Sequence, residues 1–342
     1  MQTYEYWLDL MKREKQEGKK VKEQGGVRLP LSGLKVSERS AFVSLKFTRS
    51  NTALLQQIDS YEFWDNSLDY DIWYAPHVEA FRQLSPSHLP ISKINHRASP
   101  GAPEISHGAY YKAMSINVPQ YLLYLSEKAK SHGVEVLKAR LDTTKGFPNA
   151  LREAEELVTD LQSSKSSTKP SCFINATGLG ARALCDDTAI YPVRGQTVLV
   201  KGEAHSTITR AGEGYRAYCI PRPESGTTIL GGTKEEGVWE SEPDDNATEE
   251  ILRRNAWQVP ELLTGPGGEF EVLSVQCGLR PARTGGPRVE GEVVGGMYNV
   301  VHAYGHAGAG YQNSIGSARK VVGLVGEGVA AAAVVQGRQA KL

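Results

Sequence analysis

The segment His302-Ala303-Tyr304-Gly305-His306-Ala307-Gly308-Ala309-Gly310-Tyr311-Gln312 constrains the fold of this chain most. It follows the apolar residues Val300 and Val301, and a helical pattern begins at Gln312. The order is strand, glycine-rich turn, helix N-terminus. Such a junction presents unsatisfied backbone N–H groups and the positive end of a helix dipole to an anion or a polarised carbonyl. A second segment, Cys277-Gly278-Leu279-Arg280-Pro281-Ala282-Arg283, sets an arginine directly before a proline. The backbone is stiff there, so the planar guanidinium can be aimed.

Bulk properties narrow the function classes. Lys+Arg and Asp+Glu both number 39 in 342 residues, which favours neither nucleic acid nor a membrane surface. No apolar run reaches the ~20 residues of a membrane span. Residues 321–335 come nearest, but three glycines and Glu327 interrupt them. Glu5, Asp9 and Lys12 make the start unlike a secretory signal. The cysteines 172, 185, 219 and 277 are far apart with no CxxC pair, which predicts free thiols and no metal site.

Periodicity predicts an amphipathic helix over 3–24, helices over 118–132, 146–161, 249–258 and 315–325, and Gly133 as a helix stop. Strands are expected at 42–47, within 61–74, and at 108–115, 134–139, 172–176, 198–200, 215–220, 227–230 and 270–276. Strands alternate with helices at both ends and β-structure dominates the middle. The pattern is that of an α/β nucleotide-binding domain with a β-rich substrate domain inserted in it.

Two more blocks carry chemistry: Asn175-Ala176-Thr177-Gly178-Leu179-Gly180 and Arg194-Gly195-Gln196-Thr197. Taken alone, Gly178 to Ala183 fits G-x-G-x-x-A after a strand, with Glu203 as the distant ribose-binding acid. All four blocks in this order resemble the D-amino-acid oxidase family of flavoenzymes, fungal type. The resemblance implies a Rossmann-like FAD-binding domain with an inserted mixed-sheet substrate domain. It divides the chain into 1–24, 108–204 and 278–342 for FAD and 25–107 with 205–277 for substrate. In that family the glycine-rich pyrophosphate loop lies in an N-terminal βαβ unit, and residues 1–24 contain no such turn. The FAD-binding domain therefore reads as N-terminally incomplete, residues 43–58 read as an insertion, and weak FAD binding is expected. A non-catalytic relative unable to hold FAD is the alternative from a different class.

The resemblance implies that Arg280 and Tyr218 grip the substrate carboxylate, that Gly308 offers its carbonyl to the amine, and that Tyr215 is a lid or pocket wall. It places FAD against Thr177, Gly178, Arg194, Gly195, Gln196, Gly305, Gly308, Ala309, Gly310, Tyr311 and Gln312. The competing structural reading pairs Arg280 with a carboxylate such as Glu290, and leaves Tyr215 and Tyr218 as packing. Arg283 and Arg288 read as structural. Ile208 is a candidate pocket wall. His306 is not required as a base, and Lys234 stands where some relatives carry a tyrosine. The implied reaction turns a D-α-amino acid and O2 into an imino acid, hence 2-oxo acid and ammonia, with hydrogen peroxide. A D-aspartate preference, with Arg210, Arg216 or Arg222 as second cation, is the same-class alternative. Ala340-Lys341-Leu342 resembles the peroxisomal Ser-Lys-Leu address, which implies an import receptor as partner and a cytoplasmic protein if the tail is not read. The resemblance is compatible with a homodimer.

Overall fold

The computed structural model describes residues 9–10, 12–13, 55–66, 71–88, 91, 93–95, 103–162 and 169–339, with 161–162 and 329–339 as backbone alone. Residues 9–10 and 12–13 are helical, within the helix expected at 3–24. The strand expected at 42–47 and the tail 340–342 lie outside the described residues.

Two sheets organise the chain. The larger has the strand order β10-β5-β8-β7-β6-β1-β3-β2, with β9 on β5. Its strands are β1 (Leu55–Trp64), β2 (Glu79–Leu84), β3 (His107–Ile116), β5 (Ile190–Lys201), β6 (Thr207–Gly212), β7 (Tyr215–Arg222), β8 (Thr227–Gly231), β9 (Glu235–Glu236) and β10 (Val272–Arg283). The smaller sheet is β11-β12-β4, from β11 (Arg288–Val294), β12 (Tyr298–Tyr304) and β4 (Phe173–Asn175). Strand β4 runs parallel to β12 and β11 antiparallel to it. The pairing cuts across the division expected from the resemblance: β3 and β5, from segment 108–204, lie in the large sheet with β1 and β6–β8.

Helix α1 (Val118–Ser131) starts with Pro119 in its first turn and stops at Gly133, whose φ of +81° suits glycine. Helix α2 (Phe147–Gln162) buries Leu151 against Val294, Tyr298 and Val300 of the small sheet. The very short α3 (Ala181–Leu184) follows a 3-10 turn at Gly178–Gly180. Helix α4 (Asp245–Ala256) is capped by Asp244, whose carboxylate accepts from the Ala247 N–H at 2.9 Å. Helix α5 (Gly310–Gln339) starts five residues before the expected 315.

Helix α4 decides which face of the large sheet is core. Its Ile251 packs with Val198, Val200, Ile208, Cys219, Leu230 and Phe63, all buried. Along β7, residues 217, 219 and 221 are buried, while 216 and 220 on the other face are exposed. One face is thus apolar and covered by α4, and the opposite face is polar.

One expectation fails and one strand differs in extent. Residues 134–139 form no strand; they are exposed, with Val136 at 76%. An apolar alternation gives a strand only where a sheet edge accepts it, and no described strand pairs with this one. Strand β1 begins at 55 and ends at Trp64, and Trp73 and Tyr74 lie in a turn, so the described ends of 61–74 are strand and turn as expected. The segment expected at 270–276 runs on to Arg283, which makes Arg280 a strand residue.

Candidate active site

Arg280 sits near the end of β10, where the two sheets meet. Pro281 packs against Gly178, Ala282 forms a bridge to His306, and the Arg280 Cδ lies 3.8 Å from where a Cβ of Gly308 would stand. Both glycine-rich turns, 178–180 and 305–310, therefore converge on the stretch 280–282 of β10.

The polar face of the large sheet completes the surroundings of Arg280. Its guanidinium lies across Gly195 of β5, where a Cβ would overlap it. The Tyr218 ring lies likewise across Gly231 and Gly232. The Arg280 guanidinium lies beside the Tyr218 hydroxyl and donates to the Thr233 carbonyl at 3.5 Å. Burial pushes the Tyr218 hydroxyl pKa up and the guanidinium opposes this, so the phenol stays a protonated donor at neutral pH. Among the described residues no carboxylate pairs with Arg280. Glu290, the structural alternative, pairs with Arg288 at 2.7 Å instead. A half-buried, always-charged fork without an anion is arranged for one that arrives.

Alternation along the strands separates the other expected site residues. The side chains of Arg194 and Gln196 flank Gly195 in sequence and therefore point to the α4 face. There Arg194 pairs with Glu235 and donates to the Glu242 carbonyl at 2.6 Å. Gln196 bridges Asp244 O (2.7 Å), Asp244 N (2.7 Å) and Thr248 Oγ1 (2.8 Å). These side chains fix the α4 N-terminus, and only the backbone of 194–196 faces Arg280. Tyr215 is on the α4 face too. Its hydroxyl donates to Asp65 at 2.5 Å and the Arg254 guanidinium stacks 4.3 Å from its ring centre. The structure thus pins Tyr215 away from Arg280 and Tyr218, contrary to its expected place as lid or wall. Ile208 belongs to the same buried cluster, not to a pocket wall. Arg210 is buried against Asp65 at 2.7 Å on that side as well.

Behind the two turns runs a buried polar chain. Thr177 donates from Oγ1 (2.8 Å) and N (3.2 Å) to Asn175 Oδ1. The Asn175 amide donates to His302 Nδ1 at 3.2 Å, and His302 Nε2 lies 3.1 Å from Glu292. Burial lowers the His302 pKa, so the ring is neutral, and the Asn175 amide at Nδ1 leaves the proton on Nε2. The blocks that hold Asn175 and His302 stood out in the sequence, but the contact between the two did not, because a buried polar chain has no local signature. Glu203, the expected ribose acid, instead accepts from the Ser225 (2.7 Å) and Gly226 (2.6 Å) N–H groups and closes the β7–β8 turn. His306 bonds Ser317 on α5 at 2.8 Å, which anchors the turn. Arg283 pairs with Asp187 at 2.8 Å, a structural contact as expected.

The turn 305–310 fits a flavin ring. Gly305 has φ +86°, and nothing lies within 4 Å of where a Cβ on Gly310 would be. Tyr311 and Gln312 are exposed in the first turn of α5, whose leading N–H groups have no partner within the helix. Thr177, Gly178, Gly195 and the 305–312 turn could hold the ring, with Arg280 and Tyr218 beside it.

Residues 49–324 match the family model described as FAD dependent oxidoreductase. A D-amino-acid oxidase of Fusarium vanettenii is 34% identical over 270 residues, covering 77% of this chain and 68% of that protein. A D-aspartate oxidase of Talaromyces thermophilus is 33% identical over 253 residues, 74% of this chain and 60% of the relative. Among solved structures, glycine oxidase from Geobacillus kaustophilus superposes with a TM-score of 0.57 at 16% identity, over 80% of this chain and 72% of that one. The fold and the two converging glycine-rich turns agree with these matches: the chain belongs to the FAD-dependent oxidoreductase family.

Proposed function

We propose that this chain is a flavin-dependent oxidase that converts a D-α-amino acid to its imino acid, which water hydrolyses to the 2-oxo acid and ammonia. The observation that carries the reading is the Arg280 guanidinium, beside Tyr218 and without a carboxylate partner among the described residues. Bound FAD supplies the acceptor for the α-hydrogen and its electron pair, and O2 takes the electrons on to hydrogen peroxide. The chain's own residues position the substrate. Arg280 holds the carboxylate as a bidentate fork and the Tyr218 hydroxyl donates a further bond to it. Gly308, a few ångströms from Arg280 at the turn, offers its carbonyl to the amine. With the amine neutral, the nitrogen lone pair drives departure of the α-hydrogen and no side chain need act as base, so His306 is free to hold Ser317. Catalysis then rests on orientation. Handedness follows because carboxylate and amine are both fixed, which leaves one enantiomer with its α-hydrogen toward the ring.

Oxygen uptake with D-alanine and L-alanine, at saturating FAD, tests this reading. Peroxide formed from the D-enantiomer alone supports it; equal rates or no turnover of either contradict it. The name of the Talaromyces relative favours a second reading, preference for D-aspartate. We further propose that Ala340-Lys341-Leu342 addresses the protein to peroxisomes, where a peroxide-forming oxidase meets catalase. A fluorescent fusion should become cytosolic on deletion of Leu342; continued peroxisomal signal would contradict that address.

A further inference from the structure

The polar face carries a second cation, and it is already paired. Arg216 lies two residues before Tyr218 on β7, about 7 Å along the strand and on the same face. Its Nη2 sits 3.0 Å from Glu62 Oε1 of β1. Glu62 occupies the same cross-strand row as Tyr218, through Thr209 of β6, two strands and about 10 Å away. The environments of the two differ. The Glu62 side chain is only 13% exposed and also accepts from the Tyr74 hydroxyl, whereas Arg216 is 63% exposed. The Tyr74 and Tyr111 rings lie 5.4 Å apart beside it. Glu62 is thus the fixed partner and Arg216 the one that reaches into solvent beside Tyr218.

We infer that the Glu62–Arg216 pair sets side-chain selectivity: Glu62 occupies a cation beside Tyr218 that a second substrate carboxylate could use, and so turns away dicarboxylic D-amino acids. The other two cationic candidates do not serve. Arg210 is buried against Asp65 on the α4 face, and Arg222 is four residues beyond Tyr218, near the end of β7. A substrate with one carboxylate needs only Arg280. A D-aspartate side chain would have to share the Arg216 fork with a carboxylate that cannot leave without abandoning Tyr74. Exposed Ile220, next but one after Tyr218 on the same face, suits an apolar side chain instead.

This inference rests on the reading of the face as a D-amino-acid site, and kinetics with two substrates separates the two. In the FAD-loaded enzyme, Glu62→Gln keeps an acceptor for Tyr74 but frees the Arg216 charge. The ratio of kcat/KM for D-aspartate over D-alanine should rise about tenfold or more, the scale of one charge-assisted hydrogen bond. Arg216→Gln removes the cation and leaves Glu62 with Tyr74 alone, and should lower that ratio. Titration of the flavin absorbance with succinate against butyrate, neither of which is an amino acid, should shift in the same directions. A ratio unchanged in both variants, while D-alanine is still oxidised, would overturn the inference alone. Wild-type enzyme that oxidises neither substrate would overturn the underlying reading and the inference with it. If Glu62→Gln fails to fold, Arg216→Gln and the two titrations still decide.

Discussion

At the scale of single residues, Arg280 depends on what its neighbours lack. The guanidinium lies where a side chain at 195 would be, and the Tyr218 ring where one at 231 would be. Arg280→Lys keeps the charge and loses the fork. KM for D-alanine should rise on the order of tenfold to a hundredfold, in line with losing a charge-assisted contact of about 1.5–3 kcal/mol, while FAD affinity stays the same. An unchanged KM would argue against carboxylate binding at this residue. Gly195→Ala makes a sharper test, because this glycine need not touch substrate. Its methyl must displace the guanidinium, so KM should rise as in Arg280→Lys although no charge is altered. If Gly195→Ala binds D-alanine normally, the stacking of Arg280 over β5 is not what aims it.

At the scale of elements, the turn between β12 and α5 carries the cofactor argument. Gly305 has φ +86°, and a Cβ there would approach the Arg283 Cβ to 2.8 Å. Gly305→Ala should destabilise the protein by about 1–3 kcal/mol and weaken FAD binding, because both backbone strain and the Arg283 contact act on the turn. Thermal melts with and without FAD check this. A loss of stability with no loss of FAD affinity would detach the turn from the cofactor. This element was legible in sequence because a strand, a run of small residues and a helix follow in order. Arg194 and Gln196 were not, because a motif shows which residues are adjacent and not which face each side chain takes. Strand alternation sends both to α4 and leaves Gly195 toward Arg280. Tyr215 and Tyr218 were separated by the same rule: three positions apart on a strand means opposite faces. Glu62 was invisible because its partner lies 154 residues away.

Across the whole molecule, the junction of the two sheets is held by buried charges. Asp187 accepts from Arg283 at 2.8 Å and from the Tyr304 hydroxyl at 2.8 Å, tying the loop after α3 to both β10 and β12. Burial raises the Asp187 pKa, but these bonds outweigh it and hold the carboxyl below its ordinary value. A group depressed in the folded state binds fewer protons there than in the unfolded chain. Its stabilisation is therefore present above the unfolded value of about 3.9 and is lost as pH falls through the folded one. The melting temperature should drop as pH falls below about 4, and Asp187→Asn should be less stable at neutral pH with a shallower acid decline. Identical acid profiles for the two proteins would remove Asp187 from the account. Within the large sheet, Asp65, just after β1, makes a buried ion pair with Arg210 of β6, whose side chain is 2% exposed. Asp65→Ala leaves that cation buried without its anion and should cost about 3–5 kcal/mol by chemical denaturation. A loss below ~1 kcal/mol would mean that solvent reaches the Arg210 site after all.

The central claim is that Arg280 and Tyr218 present a D-amino acid to FAD held at the 305–312 turn. Anaerobic mixing of the FAD-loaded protein with D-alanine tests it most directly, with loss of the oxidised flavin's visible absorbance as the signal. The account predicts rapid bleaching by D-alanine, none by L-alanine, and for Arg280→Lys a bleaching rate that saturates only at much higher D-alanine concentration. Bleaching by both enantiomers, or an Arg280→Lys protein indistinguishable from wild type, would contradict it.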